Sequence, residues 1–386
     1  MPYAADMNPG LYIHVPFCAR ICPYCDFAVT TGAEAKRRAY LRSLDAEIEQ
    51  AAAAHGDWLA FETIYFGGGT PSVLPPAQLS DILDAVRRNF SVSEDLWLTL
   101  EANPEDVTDE VAGAWRHLGF RSLSLGVQAL DDERLDFLGR THVTETARDA
   151  VRAARSVDFD LVSIDLMFGA TGQTQRSWSR ELEAAIELQP DHISLYQLTY
   201  HEDTPFWKWL QSGRRAELPE PQQADLYLQA VEQLSGAGFD AYEVSNFSRG
   251  RKAESRHNRK YWEHAPYLGL GPSAHSFDGD RRRWWNHRNL PQWEAALERG
   301  ESPLAGAETL DTDELVTEAV MFGMRTRKGL DLAEVEARLG VDLEALNEVR
   351  FNEWRNRGLV KGHRVLRPTP SGMAIADRLA AEILTG

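Results

Sequence analysis

A chain of 386 residues, 43% hydrophobic and 26% charged, has room for a large core and a second, smaller domain. Its formal charge of −18 disfavours nonspecific contact with nucleic acid or anionic lipid over most of the surface. No apolar run approaches the roughly 18–20 residues that cross a bilayer, and MPYAADMNPG carries no charged segment ahead of an apolar stretch, so the expectation is a reducing, cytoplasmic setting without a secretory signal or an integral membrane span.

The first predicted strand, Leu11–Phe17, runs directly into Cys18, Cys22 and Cys25, the chain's three cysteines, spaced C-x3-C-x2-C. An odd thiol count in an acidic chain argues against a disulfide scaffold. Zinc normally takes four ligands, and the nearest extra candidate is His14. Buried inert thiols are a third reading. The spacing favours a cubane [4Fe–4S] cluster, in which three thiolates leave one iron without a protein ligand.

Beyond the cysteines, short apolar runs alternate with helical patterns. A helix over Ala35–Ala54 precedes strand Thr63–Gly69, and Pro76–Asn89 precedes Leu98–Asn103. Asp106–Leu118 precedes Ser122–Gln128, Val143–Ser156 precedes Leu161–Phe168, and Gln175–Leu188 precedes His192–Thr199. Asp240–Phe247 reads as a seventh run that extends the sheet edge. This alternation predicts right-handed βα units around a parallel sheet. Six units are too few to close an eight-stranded barrel, so the expected fold is α/β, a partial (β/α)6 barrel.

Chemistry in such folds collects at the carboxyl ends of the strands. The cysteine loop, Gly67-Gly68-Gly69-Thr70-Pro71, Glu101-Ala102-Asn103-Pro104, Gln128, Asp165 and Tyr196-Gln197 are all expected on that rim. An iron with an open position can chelate the amino and carboxylate groups of S-adenosylmethionine, and a reduced cluster can then cleave the sulfonium to an adenosyl radical. Glycines at 68 and 69 let a strand edge approach the methionine amine closely. Glu101 and Asp165 can accept hydrogen bonds from ribose hydroxyls, and Arg140 can pair with the methionine carboxylate. Each of these is, taken singly, also an ordinary strand-end polar residue.

Charge is uneven further on. Residues 249–288 hold ten Lys/Arg against four Asp/Glu, together with His257, His264, His275 and His287. Such a cationic, aromatic stretch suits an anionic ligand with a flat apolar body, or is simply a solvated loop region. From about Glu301 the pattern changes to short amphipathic helices around VLRPT, reminiscent of a winged helix. Residues 301–386 carry eleven Lys/Arg against fifteen Asp/Glu, which disfavours DNA and favours a structural or docking role. The expected division is a barrel over 1–245, a linker with a binding motif over 246–300, and a winged-helix-like domain over 301–386.

The series C-x3-C-x2-C, GGGTP, EANP, SLGVQ, LGRTH and SIDLMFG resembles a radical-SAM protein of the oxygen-independent coproporphyrinogen III oxidase (HemN-like) family over essentially the whole chain. The resemblance implies a [4Fe–4S] cluster on Cys18, Cys22 and Cys25. It further implies S-adenosylmethionine contacts from Tyr12, Gly68, Gly69, Thr70, Glu101, Gln128, Arg140 and Asp165. Three features separate the branches. Phe27 stands where the oxidases usually carry a further cysteine, 17 residues precede Cys18 where they have a longer extension, and His257-Asn258-Arg259-Lys260-Tyr261-Trp262 matches the HNxxYW signature of HemW-type heme chaperones. That branch implies heme as ligand, heme-accepting respiratory proteins and transient membrane-associated partners, no nucleic acid, and no radical catalysis as its main task. The alternative is a coproporphyrinogen III dehydrogenase. Arginines of 249–288 can pair with heme propionates, and Tyr261, Trp262, Trp284 and Trp285 can cover the ring. His257 is the candidate axial ligand, or else a histidine that hydrogen-bonds within its loop. One departure from the family is Gly169-Ala170-Thr171-Gly172-Gln173-Thr174, which lacks the usual proline.

Overall fold

Strand-forming runs buried on both faces become the centre of the molecule, as expected for a parallel sheet covered by helices. The structure, a computed structural model, describes residues 7–56 and 58–384. Six strands, β1 (Gly10–Val15), β2 (Phe61–Gly68), β3 (Val92–Ala102), β4 (Phe120–Gln128), β5 (Leu161–Phe168) and β6 (His192–Gln197), stand in chain order and pair in parallel. Between them lie α1 (Glu34–His55), α2 (Pro76–Asn89), α3 (Asp109–His117), the short α4 (Asp132–Phe137), α5 (Thr144–Ser156) and α6 (Gln175–Glu187). Helix starts are fixed locally. The Thr108 side chain accepts the Val111 amide at α3, and Thr174 and Ser177 form a reciprocal capping box at α6. The expected partial (β/α)6 barrel is what forms.

The sheet is wider than the six units. After α7 (Pro205–Gln211) and α8 (Glu220–Gly236), the run Asp240–Phe247 is not one strand but a hairpin of β7 (Asp240–Ala241) and β8 (Asn246–Ser248), with β8 antiparallel to β6. The stretch 246–300, expected as a linker, carries α9 (Arg256–Trp262), β9 (Tyr267–Leu270), β10 (His275–Phe277), β11 (Arg282–Asn286) and α10 (Leu290–Glu298). β9 pairs in parallel with β1, and the antiparallel β10, β11 and β12 (Leu304–Thr309) continue the sheet to twelve strands. Leu268, Leu270, Trp284 and Trp293 belong to the same hydrophobic core as the barrel strands.

A separate core gathers α11 (Thr312–Arg325), α12 (Leu332–Leu339), α13 (Leu343–Asn356) and α15 (Ala376–Leu384) around a small sheet of β13 (Leu330–Asp331), β14 (Val360–Lys361) and β15 (Val365–Pro368), while the short α14 (Pro370–Met373) sends Met373 into the barrel core. It is sewn to the barrel edge through the backbone. Val244 N–H donates to the Arg325 carbonyl at 2.8 Å, and Arg327 N–H donates to that of Tyr242 at 2.9 Å. Among the described residues no helix is long and apolar enough to cross a membrane.

Candidate metal and cofactor centre

The loop after β1 is held open by backbone bonds rather than by packing of its thiols. Cys18 N–H donates to the Thr30 carbonyl at 3.0 Å, Thr30 N–H to that of Pro16 at 2.7 Å, and Cys25 N–H to that of Cys22 at 3.1 Å. All three cysteines are free, half-buried and face one cavity of about 380 Å³ at the carboxyl ends of the strands. Gly68, Gly69, Thr70, Glu101, Gln128, Arg140 and Asp165 line the same cavity. Of the residues singled out in the sequence, Tyr12 and His257 lie outside it.

Thr70 Oγ1 donates to Cys18 Sγ and Arg140 Nη1 to Cys22 Sγ, each at 3.4 Å. Burial pushes the Cys25 thiol up to about 11 and that of Cys18 upward, so metal binding would release their protons. Among the described residues no three His, Cys, Asp or Glu side chains are placed to hold a single ion. Four-coordinate zinc draws its sulfurs to within about 4 Å of one another. A cubane spreads three thiolates over three irons, and sulfurs facing a common cavity beside a guanidinium fit such an anionic group.

Glu101 sits beneath the cavity. Its Oε1 accepts from Tyr65 Oη at 2.7 Å and its Oε2 from Gly68 N–H at 3.2 Å. Burial, with the Asp165 carboxylate nearby, raises it to about 7. Asp165 accepts from Ser124 Oγ at 3.2 Å and from Ser194, and burial raises it to about 6. Arg140 Nη2 donates to Asn103 Oδ1 at 2.7 Å and to the Gly126 carbonyl at 3.1 Å, fixing its position on the wall. Gln128 takes a left-handed backbone, φ 67°, where the pairing of β4 with β5 slips, and this turns its side chain to the rim.

Tyr12 works one layer down. Burial lowers His14 to about 4, so its ring is neutral. With Nε2 donating to the Ala28 carbonyl at 2.9 Å, Nδ1 accepts from Tyr12 Oη at 3.1 Å. A Cβ on Gly68, at φ 114°, would stand 2.6 Å from that ring. At Gly69 a Cβ would stand 2.7 Å from the Phe17 carbonyl oxygen, on backbone that cannot yield. Gly69→Ala is therefore expected to displace the cysteine loop and lower stability by about 2 kcal/mol. Thermal unfolding checks this, and an unchanged midpoint contradicts it.

His257 is 1% exposed with both ring nitrogens in use, Nδ1 with Thr63 Oγ1 at 2.8 Å and Nε2 with Tyr261 Oη at 2.9 Å. Its ring also stacks on Tyr65 at 5.2 Å. An axial bond to heme iron would need one of these nitrogens and an open face, so the geometry matches the hydrogen-bonding reading instead. The cationic stretch is likewise dispersed. Arg256 pairs with Asp95, Lys260 with Glu62, and Arg283 with Glu308 and Glu318. Trp284 is buried against His55 and Trp58, and Trp285 stacks on His275.

Asn103, expected on the rim, orients Arg140, and Tyr65, Ser124 and Ser194, which the sequence does not mark, orient Glu101 and Asp165. The strand period of two places Ser124 on the same side as Gly126 in SLSLGVQ, which is the signal that could have found it.

Residues 12–185 match the Radical SAM superfamily, and residues 310–375 match the HemN C-terminal domain. The chain is 37% identical over 331 residues to the heme chaperone HemW of Mycobacterium tuberculosis (strain CDC 1551 / Oshkosh), covering 85% of this chain and 84% of that protein. It is 31% identical to HemW of Bacillus subtilis (strain 168), covering 90% and 92%. It is 34% identical to the mitochondrial radical S-adenosyl methionine domain-containing protein 1 of Bos taurus, covering 100% and 89%. Among solved structures, HemN from Escherichia coli, a coproporphyrinogen III oxidase, superposes with a TM-score of 0.84 at 22% identity over 99% of this chain and 91% of that one. That last likeness establishes the fold.

Proposed function

The chain belongs to the HemW family of radical-SAM proteins, and on that footing we propose that it is a heme chaperone that binds heme and passes it to respiratory acceptor proteins, some of them at the membrane. The observation that carries this reading is that the likeness to proteins named heme chaperones spans barrel and C-terminal region alike. In the barrel, Cys18, Cys22 and Cys25 would hold a [4Fe–4S] cluster, and a reducing, cytoplasmic compartment would keep those thiols available. The cluster supplies an iron corner able to bind S-adenosylmethionine. Arg140 would pair with the methionine carboxylate, the backbone of Gly68, Gly69 and Thr70 would approach the amine, and Glu101, Asp165 and Gln128 would take the ribose side. Tyr12 would act through His14, holding the floor under Gly68.

This placement has a pH signature. Glu101 and Asp165 lie at about 7 and about 6 before ligand arrives. Ribose hydroxyls and a sulfonium both favour the ionised carboxylates, so binding lowers both values and releases protons. Affinity for S-adenosylmethionine is expected to rise at least about tenfold from pH 5.5 to 8 and to level above that, measured calorimetrically on cluster-loaded protein. A flat profile contradicts the ribose assignment.

An anaerobic heme titration followed by incubation with coproporphyrinogen III, reductant and S-adenosylmethionine tests the function. Saturable heme binding without protoporphyrinogen formation is the expected result. Turnover to protoporphyrinogen without heme binding would replace the chaperone with a dehydrogenase.

A further inference from the structure

A large cavity lies outside the barrel mouth. It measures about 1150 Å³ and is bounded by the end of β6, the start of α8, helix α9, and α14–α15 of the C-terminal domain. Tyr196 and Gln197 line both this cavity and the cysteine-lined one, so the two share a wall. Phe168, Tyr196, Tyr227, Tyr261 and Trp262 give it an aromatic lining. The HNxxYW helix presents Asn258, Tyr261 and Trp262 here, while His257 turns away and accepts or donates at the Tyr261 hydroxyl from behind.

Four buried polar atoms on this lining make no hydrogen bond: Tyr227 Oη, Glu243 Oε1, Asn246 Oδ1 and Trp262 Nε1. The cavity's two cations, Arg325 and Arg378, are each engaged with a carboxylate, Asp377 at 2.6 Å and Glu382 at 3.0 Å. One member of each pair is open to water, Asp377 at 75% and Arg378 at 70%, while Arg325 and Glu382 are 28% and 34% exposed, so each pair can be reached and exchanged from its open side. The acids Glu217, Glu220 and Asp377 are exposed, and only Glu243 is a buried acid on this lining.

We propose that heme is held in this cavity, its ring among Tyr227, Tyr261 and Trp262 and its two propionates on Arg325 and Arg378. The assignment rests on the chaperone reading and adds the site. A flat macrocycle with two carboxylates matches aromatic walls with two exchangeable guanidiniums. The barrel cavity is about a third of the volume and is the place of the cluster and its ligand. His257 then serves as a positioning residue for Tyr261.

The test is an anaerobic hemin titration of full-length, cluster-loaded protein, read from the Soret band, with heme dimethyl ester as second probe. The double variant Arg325→Glu/Arg378→Glu is expected to weaken hemin binding at least tenfold, with iron content unchanged. The ester should bind wild type as weakly as hemin binds that variant. Arg256→Glu, in the cationic stretch but away from the cavity, should bind hemin like wild type. Ala224→Trp fills the cavity without touching an ion pair and should reproduce the loss, which keeps the test open if the arginine variant misfolds. Wild-type affinity in both cavity variants, or a loss in Arg256→Glu alone, overturns the site and leaves the chaperone reading standing. Failure of wild type to bind hemin at all overturns that reading itself.

Discussion

Changing Cys18, Cys22 and Cys25 together to alanine is expected to remove all iron and sulfide from anaerobically prepared protein, while moving the unfolding midpoint of the metal-free chain by no more than about 2 °C. The two halves follow from the same geometry. The thiols contribute no packing to the core, and their loop is held by backbone bonds among Pro16, Phe17, Cys18, Thr30 and Thr70 that alanine leaves intact. What disappears is the set of soft ligands; His14 is committed to Ala28 and Tyr12, and the one histidine on the cavity lining, His201, faces Asp26 and cannot by itself stand in for three thiolates. Single substitutions should already lose most of the metal, since a cubane held by two thiolates exposes two irons. Iron and sulfide analysis beside thermal denaturation gives both readings. Full metal content in the triple variant would remove the basis for the cofactor assignment.

Arg140→Met should raise the dissociation constant for S-adenosylmethionine about 100-fold, in the range seen when one partner of a buried charge pair is deleted. Arg140 is already anchored by Asn103 and the Gly126 carbonyl, so the ligand meets a guanidinium fixed before it arrives. Part of the loss is reorganisation, because Asn103 Oδ1 forfeits its donor. Arg140→Lys separates the terms. It restores charge without the planar fork, and affinity should return only in part. Metal content, measured on the same samples, shows whether the contact with Cys22 Sγ matters to the cluster. Equal affinity in the Met variant and wild type would place the carboxylate elsewhere.

The barrel was legible because its signals are long and local. Each of the six parallel strands is a run of buried apolar residues ending in a distinctive tripeptide or cysteine, and the residues at those ends do meet in one cavity. What escaped reading was shorter or depended on partners far along the chain. β7, β8 and β10 span two or three residues, below any periodic pattern, so the edge hairpin read as one strand and 246–300 as a linker. Tyr65 and Ser194 are unremarkable in sequence and gain meaning only when β2 and β6 bring them to Glu101 and Asp165. HNxxYW is legible as a motif, but which task its histidine performs is not. A histidine invites a metal, whereas the helix turns that ring onto Thr63, 194 positions away. Composition also gives no sign that Trp284, offered above as cover for a heme ring, is buried by the sheet.

Two backbone bonds join residues 242–244 to residues 325–327. They tie the C-terminal lobe to the barrel like a seam stitched along one edge, so the lobe cannot swing away as a door on a loose hinge. A ligand held in the large cavity is then expected to enter and leave through the gap beside the exposed Glu217, Pro219 and Glu220, where the chain passes from α7 to α8. A crosslink across that gap would trap cargo, whereas one across the seam would change nothing.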